Sequence, residues 1–489
     1  LHSKWLYTFR WVLFFLVVAN YCDAANILYV VPFTSKSHYN MLKPIGLELA
    51  NRGHNVSVIT GHLHKDPPPN VFEMVEKSGE EFHKQILWKG GLAFTELTLN
   101  STQVKNLFAE NTKFDLVISE QFFQEAMFVL AHKYNAPLVL VTTYGNCMRH
   151  NIVTRNPLQL ATLISDFLAV REPTSLTARL RNLYFTETLV RKYFSDLPKP
   201  VPSLYELQQN TSLILINGHF SFDVPAAYLP NIVEIGGLHL SKSENRLPEV
   251  ILDNAKHGAV YMNFGSNVRS SELPEEKRNA VLNVFRKLNQ TVLWKWEDDK
   301  LKNKPDNLIV RKWLPQKEIL SHPNIRVFIS HGGLIGTQEA IFHGVPIIGV
   351  PIYGDQYNNL LQVQYQGFGK ILEYHDITEE SLSKTIHELL TDDSYRKKAK
   401  ELSKRFKDRP LSALDTAMFW IEYVIRNNGA GYMKNPATQM SWIAYNMIDV
   451  YAIILMLVLA AVYVMSKVSI VLLSLLITKD NKKQKKKQA

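Results

Sequence analysis

Short apolar, β-branched runs alternate with amphipathic stretches along most of this 489-residue chain. The apolar runs predict strands at Ile27–Val31, Val56–Thr60, Asp115–Ser119, Leu138–Thr142, Ala259–Phe264, Thr291–Trp296 and Arg326–Ser330. The amphipathic stretches predict helices at Pro44–Asn51, Gln121–Tyr134, Glu275–Leu288 and Gly336–Phe342. Because strands that alternate with helices form parallel sheets, the pattern predicts an α/β fold with two Rossmann-like, doubly wound domains facing a cleft.

Both ends of the chain carry apolar segments of a different kind. Trp11–Ala19 is short and is followed by small residues, which predicts a signal peptide at residues 1–24. Val450–Ser466 is almost wholly apolar and predicts a transmembrane helix at 448–472, before a lysine-rich cytosolic tail at 473–489. The two ends together predict a single-pass, type I protein of the endoplasmic reticulum membrane with a lumenal body. Such a body would carry glycans at some of four sequons, which begin at Asn55, Asn100, Asn210 and Asn289.

A polar stretch at Leu240–Glu249 divides the body into two predicted domains, residues 25–243 and residues 244–447. The formal net charge is +10, and about half of it lies in the basic tail. The charge left on the body is too small to predict nucleic-acid binding. Cys22 would leave with the signal peptide, so Cys147 stays alone and no internal disulfide is predicted.

The most informative segment begins where the strand predicted at Arg326–Ser330 ends. His331, Gly332 and Gly333 follow at once, and Gly336 opens the next predicted helix. A glycine turn at a helix N-terminus exposes backbone N–H groups to which phosphate oxygens bind. The two glycines alone would indicate no more than a tight turn, but the surrounding residues favour a nucleotide-sugar site.

Side chains suited to the other parts of a nucleotide sugar lie on both sides of this turn. Trp313 offers a flat face to a base, and Gln316 offers an amide that both donates and accepts hydrogen bonds. Glu339 and Asp355 can accept hydrogen bonds from sugar hydroxyls, and Gln356 can serve them in either sense. Base, diphosphate, ribose and hexose therefore each have a partner in one continuous segment.

The block from Trp313 to Gln356 resembles the signature of the UDP-glycosyltransferases, the membrane-bound conjugating enzymes of animals. The resemblance implies the GT-B fold, with acceptor contacts in the first half of the chain and donor contacts in the second. It also implies individual roles: uracil stacking for Trp313 with help from Gln316, diphosphate contact for His331, ribose binding for Glu339, and donor-sugar binding for Asp355 and Gln356.

Two further features belong to the same resemblance. Ile335 stands where vertebrate members often carry Asn, which makes the block more similar to the insect branch, whose members are generally similar to glucosyltransferases. The segment Asp408–Arg426 is similar to the closing motif of the family. It predicts a helix that packs back against the first half through the apolar side chains of Leu414, Met418, Ile421 and Ile425.

Sugar transfer needs a base for the acceptor hydroxyl, and His38 is the candidate. It is predicted to lie in the loop after the first strand, at the edge where a doubly wound sheet presents catalytic groups. Its position also matches that of the family's catalytic histidine. Glu120, where many relatives carry Asp, follows another predicted strand and would fix the histidine tautomer. Asp115 begins that strand, at the wrong end for the cleft, so its predicted role is structural.

The predicted reaction is direct displacement: His38 removes the acceptor proton, the oxygen attacks the anomeric carbon, and UDP leaves with inversion. Ser266 and the backbone N–H groups after His331 would stabilise the diphosphate, so no metal and no cofactor beyond the UDP-sugar co-substrate are predicted. The predicted donor is UDP-glucose, with glucuronic acid and galactose left open, and the predicted acceptors are small lipophilic hydroxyl compounds. A catalytically silent lumenal binding protein and a transferase acting on polymers or proteins are the alternatives; homo-oligomerisation is left open.

Overall fold

The structure is a computed structural model, and it describes residues 24–33, 35–62, 64, 66–75, 87–110, 112–122, 124–145, 154, 201–240, 250–266, 268–298 and 301–487. Residues 1–23 of the predicted signal peptide lie outside the described residues, as do both cysteines and nearly all of the polar boundary at 240–249. So does the stretch 157–194, for which the sequence predicts a helical, irregular insertion with acceptor-contacting elements. The chain forms two compact units, one ending at Lys434 and the other beginning at Asn435.

The first sheet consists of seven parallel strands in the order β3-β2-β1-β4-β5-β6-β7. Its strands are β1 (Asn26–Val31), β2 (Asn55–Thr60), β3 (Val71–Val75), β4 (Leu116–Glu120), β5 (Leu138–Thr142), β6 (Thr211–Ile216) and β7 (Ile232–Glu234). Its helices are α1 (Lys36–Asn51), α2 (Leu87–Asn100), α3 (Thr102–Ala109), a 3₁₀ turn at Glu125–Phe128, α4 (Val129–Lys133) and α5 (Leu204–Gln209). The central strands β4, β5 and β6 are buried along their whole length, because helices cover both faces of the sheet.

The second sheet has six parallel strands in the order β10-β9-β8-β11-β12-β13. They are β8 (Ala259–Asn263), β9 (Thr291–Lys295), β10 (Leu308–Arg311), β11 (Ile325–Ser330), β12 (Ile347–Gly349) and β13 (Gly369–Ile371). The helices are α6 (Val250–Asp253), α7 (Glu275–Lys287), α8 (Gln316–Ser321), α9 (Leu334–His343), α10 (Gln356–Tyr365), α11 (Glu379–Thr391) and α12 (Asp393–Lys407), with 3₁₀ turns at Leu238–Leu240, Ser270–Glu272 and Tyr374–Asp376. Two doubly wound parallel sheets confirm the predicted α/β architecture.

Two predicted helices of the first half are wrong in extent. The first helix was predicted to begin at Pro44, but α1 begins eight residues earlier and carries Pro44 in its interior. His38 therefore lies in the first turn of a helix and not in a loop. The helix predicted at Gln121–Tyr134 is also shorter, since the chain is extended to Gln121, forms a 3₁₀ turn at Glu125–Phe128 and becomes α-helical only in α4.

Buried hydrogen bonds and a closing helix join the two halves. Gln338 of α9 is fully buried; its Nε2 donates to the Asn217 carbonyl at 2.8 Å, and its Oε1 accepts from the Gly237 N–H at 3.0 Å. Helix α13 (Ala413–Arg426) places Met418 and Ile421 in the core of the first sheet, with Leu414 and Ile425 packed against it. This packing confirms the predicted return of the closing segment to the first half.

The second unit contains a 3₁₀ turn at Pro436–Gln439, α14 (Trp442–Tyr445) and the long helix α15 (Ile448–Lys487). Within α15, the mean hydropathy reaches 2.5 in the 28-residue stretch Ile448–Leu475, and its side chains are exposed. At 1.5 Å per residue this stretch exceeds the roughly 30 Å of a bilayer core. It therefore fits a membrane anchor and includes the span predicted at 448–472.

Candidate functional site

The predicted base and its carboxylate meet at the point where the strand order of the first sheet reverses. Strands β1 and β4 are neighbours that lead in opposite directions across the sheet, and such switch points form ligand crevices. His38 follows β1 in the first turn of α1, and Glu120 is the last residue of β4. The Nδ1 atom of His38 lies 2.6 Å from Oε1 of Glu120, whose side chain is only 1% exposed.

Other side chains fix the His38 ring. The hydroxyl oxygen of Thr143, just after β5, lies 3.2 Å from Nδ1, and the rings of Phe33 and Phe122 lie 5.0 and 4.5 Å from the imidazole centroid. Because both polar contacts involve Nδ1, Nε2 is the nitrogen left to take a proton. Sequence reasoning missed Thr143, although its place after a central strand is the same signal that identified Glu120.

Asp115, the alternative carboxylate, has a different position. Its Oδ2 accepts a hydrogen bond from the Asn26 N–H at 2.7 Å, and its own N–H donates to the Asn26 carbonyl at 2.8 Å. These bonds tie the beginning of β4 to the beginning of β1, at the edge of the sheet opposite to His38. The contacts fit the structural role predicted for Asp115.

Most of the predicted site residues line one cavity of about 350 Å³, which lies between the two halves of the first unit. The predicted residues along its wall are His38, Ser266, Trp313, Gln316, His331, Gly333, Gly336, Glu339, Asp355 and Gln356. Glu120 and Gly332 are not part of this wall. Glu120 reaches the site through His38, whereas Gly332 shapes the turn between His331 and α9.

Three of the described helices that begin at this cavity are ten residues long or more, and in each of them the N-cap side chain makes no hydrogen bond to the first turn. They are α1 with Ser35 at the N-cap, α9 with Gly333, and α10 with Asp355. The first N–H groups of a helix have no partner within the helix, and the helix dipole adds partial positive charge at the same end. The cavity therefore presents helix N-termini from both halves, which suits an anionic ligand.

Glycines make the turn after β11 possible. Gly332 has φ +86°, and a Cβ atom there would lie 2.5 Å from Cγ of Leu360 and 3.0 Å from the carbonyl oxygen of Gln356. Gly265, in the turn after β8, has φ +84°, and a Cβ there would lie 2.7 Å from the His331 ring. Strands β8 and β11 are neighbours at the switch point of the second sheet, so these turns face each other.

Burial keeps the second-half site residues close to neutral. Burial, together with the charge of Lys295, lowers the pKa of His331 to about 4. This imidazole is therefore uncharged near pH 7. Burial also raises the pKa of Glu339 to about 7, against a hydrogen bond from Gln316 that lowers it. The oxygen of Gln316 in turn accepts from Nδ2 of Asn263 at 2.7 Å, so one chain of hydrogen bonds orients all three side chains.

The pair at the start of α10 is held by its own neighbours. Asn359 donates from Nδ2 to Oδ2 of Asp355 at 2.9 Å and to the Gly332 carbonyl at 3.0 Å. The Oε1 atom of Gln356 accepts from the N–H groups of Ile352 and Tyr353 at 2.8 and 3.0 Å. Gln356 was predicted to serve a sugar in either sense, but its oxygen is taken by the backbone and its Nε2 is the group left as a donor.

The remaining wall residues include some that sequence reasoning did not name. Lys295, at the end of β9, is 6% exposed, and its Nζ donates to the Gly265 carbonyl at 2.9 Å and to Oε1 of Glu297 at 2.8 Å. His239 lies with Nε2 3.8 Å from Oε1 of Glu339; burial lowers the pKa of His239 to about 3, so it is neutral near pH 7. A lysine closing an apolar strand was a readable signal, whereas His239 carried none.

Solved structures with this architecture include that of Phytolacca americana UGT2 complexed with UDP-2fluoro-glucose and pterostilbene. It superposes with a TM-score of 0.62 at 17% identity, covering 82% of this chain and 100% of that one. The likeness shows that this chain has the GT-B glycosyltransferase fold.

A family model described as UDP-glucoronosyl and UDP-glucosyl transferase matches residues 95–484. UDP-glycosyltransferase UGT5 of Dactylopius coccus is 34% identical over 92% of this chain and 93% of its own length. UDP-glucosyltransferase 2 of the same insect is 33% identical over 90% of this chain and 92% of its own length. Human UDP-glucuronosyltransferase 1A8 is 28% identical over 92% of each chain. The chain belongs to the UDP-glycosyltransferase family.

The raised pKa of Glu339 predicts a pH-dependent term in stability. Between about pH 4.5 and pH 7 the folded protein keeps a proton on Glu339 that the unfolded chain has released. The contribution of Glu339 to the free energy of unfolding is therefore fully present below about pH 4.5 and is lost as the pH rises to about 7. Glu339→Gln removes it. In denaturant titrations between pH 4 and 8, the stability of the wild type relative to the variant should fall by on the order of 3 kcal/mol. Parallel pH profiles for the two proteins would contradict the shift.

Proposed function

We propose that this protein transfers glucose from UDP-glucose to a hydroxyl group of small lipophilic acceptors, with inversion at the anomeric carbon. One observation carries the proposal: the pair of His38 and Glu120 opens on the same cavity at which helices α9 and α10 begin. A base and an anion site then lie on opposite sides of one cavity that is large enough for a ligand. This arrangement suits an attack on a sugar whose leaving group is a diphosphate.

In the proposed reaction, Nε2 of His38 accepts the proton of the acceptor hydroxyl. The oxygen forms a bond to the anomeric carbon while the bond from that carbon to the diphosphate oxygen breaks. Glu120 stabilises the imidazolium through its 2.6 Å contact with Nδ1 and keeps the proton on that nitrogen beforehand. Backbone N–H groups of α9, with Ser266 and neutral His331, stabilise the charge that develops on UDP.

The donor is proposed to lie along the second-half wall of the cavity. Trp313, which is 47% exposed at this wall, would stack on the base, with Gln316 beside it. Glu339 would accept a hydrogen bond from the ribose. Asp355 would accept one from the hexose, and Nε2 of Gln356 would donate another. These roles follow the family resemblance, and the hydrogen bonds of Gln316, Asp355 and Gln356 support them by limiting how these side chains can turn.

Apolar surroundings of the base support a lipophilic acceptor. Phe33, Phe94 and Phe122 form a small aromatic cluster with Tyr144 packed against it, and two of these rings contact His38. Aromatic side chains next to a base favour a flat or apolar molecule over a peptide or glycan chain. The hydroxyl to be glycosylated would be the polar end of such a molecule.

Replacing the base should abolish transfer and leave donor binding intact. His38→Ala removes proton transfer, which typically contributes 10²–10⁴-fold, so kcat should fall by about that factor while the Kd for UDP stays within about twofold. Calorimetric UDP binding and a transfer assay with a phenolic acceptor measure the two quantities. His375→Ala, at an exposed position of the second half, is the matched control and should keep full turnover. Full turnover in His38→Ala would refute the base assignment.

Donor choice is tested with the detergent-solubilised full chain. We expect the highest kcat/KM with UDP-glucose, because the block around Ile335 resembles the insect branch and one insect relative is named a glucosyltransferase. UDP-glucuronic acid and UDP-galactose are the competitors to be assayed beside it. A preference for either would overturn the glucose assignment. Binding of UDP without transfer to any acceptor would favour a silent binding protein.

The body is proposed to face the lumen of the endoplasmic reticulum, anchored by the apolar helix Ile448–Leu475. The lysine-rich stretch that follows favours a cytosolic C-terminus. The sequon at Asn289 lies at an exposed position and would then be glycosylated. Endoglycosidase H should shift the mobility of the expressed protein, and Asn289→Gln should reduce the shift. An unglycosylated, protease-accessible body in intact microsomes would contradict the orientation.

A further inference from the structure

A lysine from the first half covers the aromatic side chain proposed to bind the base. Lys36 is the first residue of α1, and its Nζ stands 3.6 Å from the centroid of the Trp313 ring. Trp313 follows β10 in the second half, so this contact crosses the cavity. The attraction between a cation and an exposed indole ring is weak.

The electrostatic surroundings of Lys36 include a second cation, Lys295. Partial burial and the charge of Lys295 lower the pKa of Lys36. Lys295 is paired with Glu297, whereas the contact recorded for Lys36 within the described part of the chain is the Trp313 ring. His331 is neutral near pH 7, as shown above. Two ammonium groups thus lie within electrostatic range of each other beside a cavity built for an anion, which is unfavourable until an anion enters.

We propose that Lys36 is a donor-binding residue that moves from the Trp313 ring to the diphosphate when the UDP-sugar enters. The inference rests on the proposed function and adds a cation from the acceptor half to the donor site. One movement then has two effects. It frees a ring face for the base, and it places a positive charge on the leaving group.

Magnitudes favour this exchange. A hydrogen bond between two charged groups is stronger than the contact between a cation and an exposed ring, which is the contact that is lost. The lysine side chain has a flexible four-carbon stem, so its ammonium can move without rearranging the backbone. Ser37 and His38, the next two residues of the same turn, already line the cavity. The diphosphate would therefore attract the turn that carries the base.

The test compares UDP with uridine, which has the same base and ribose but no diphosphate. For Lys36→Met, the affinity for UDP should fall about tenfold, whereas the affinity for uridine should stay the same or rise, because the ring is uncovered. Lys36→Arg keeps the charge and should bind UDP within about threefold of the wild type. Lys384→Met, at an exposed position of α11, is the control for losing a lysine and should change neither affinity.

Calorimetry on the solubilised full chain measures these affinities, and thermal unfolding of each variant shows whether it is folded. If the wild type binds UDP and the Lys36→Met variant binds it equally well or better, the role of Lys36 is overturned, but the proposed function is not. A wild type that binds no UDP would overturn the proposed function as well. If Lys36→Met loses affinity for uridine and for UDP to the same degree, the role of Lys36 in diphosphate binding is also contradicted, since the lysine would then act on the base.

Discussion

The site depends on how the carboxyl edges of two parallel sheets are held opposite one another. In a parallel sheet every strand ends at the same edge, so a single relation between the sheets brings many loops to one cavity. Gln338 supports that relation from a fully buried position, where both ends of its amide bond the backbone of the first half. A buried amide left without partners costs about 1–3 kcal/mol, which opposes separation of the halves at this point. His38 and the turn at His331 lie opposite each other because of this relation between the sheets, and not because of any local sequence.

The cavity is proposed to bind an anion, although few of its side chains carry a formal positive charge. Burial lowers the pKa of His331 to about 4 and raises the pKa of Glu339 to about 7, so near pH 7 the histidine is uncharged and the glutamate is only partly ionised. The positive potential comes instead from helix ends and from Lys295 and Lys36 at the margin. Helix termini need no desolvation of an ion, and they are fixed in direction before a ligand arrives. The result is a polar, preorganised site inside an apolar fold.

Local sequence identified the parts of the site whose backbone is set locally. The strand at Leu138–Thr142 has the predicted bounds, and the glycine turn after β11 could be read because only glycine fits its φ angle. The start of α1 could not, since Pro44 resembles a first-turn proline and the helix is fixed by packing of its earlier residues. Thr143 follows a central strand and carried the same signal as Glu120, whereas Lys36 carried none. The contact of Lys36 with Trp313 joins chain segments that meet only in the folded protein.

The side-chain oxygen of Gln356 already accepts two backbone hydrogen bonds, and this limits how donor specificity can evolve. In the proposed complex, Asp355 is an acceptor and Gln356 is a donor, so the pair forms a polar element with one fixed direction. Every hydroxyl can both donate and accept, so neighbouring hydroxyls of any hexose can match this direction. The pair would then set which way round a sugar lies, and not which sugar it is. Orientation and identity would be separate traits, and a lineage could exchange one donor for another without disturbing the geometry of attack.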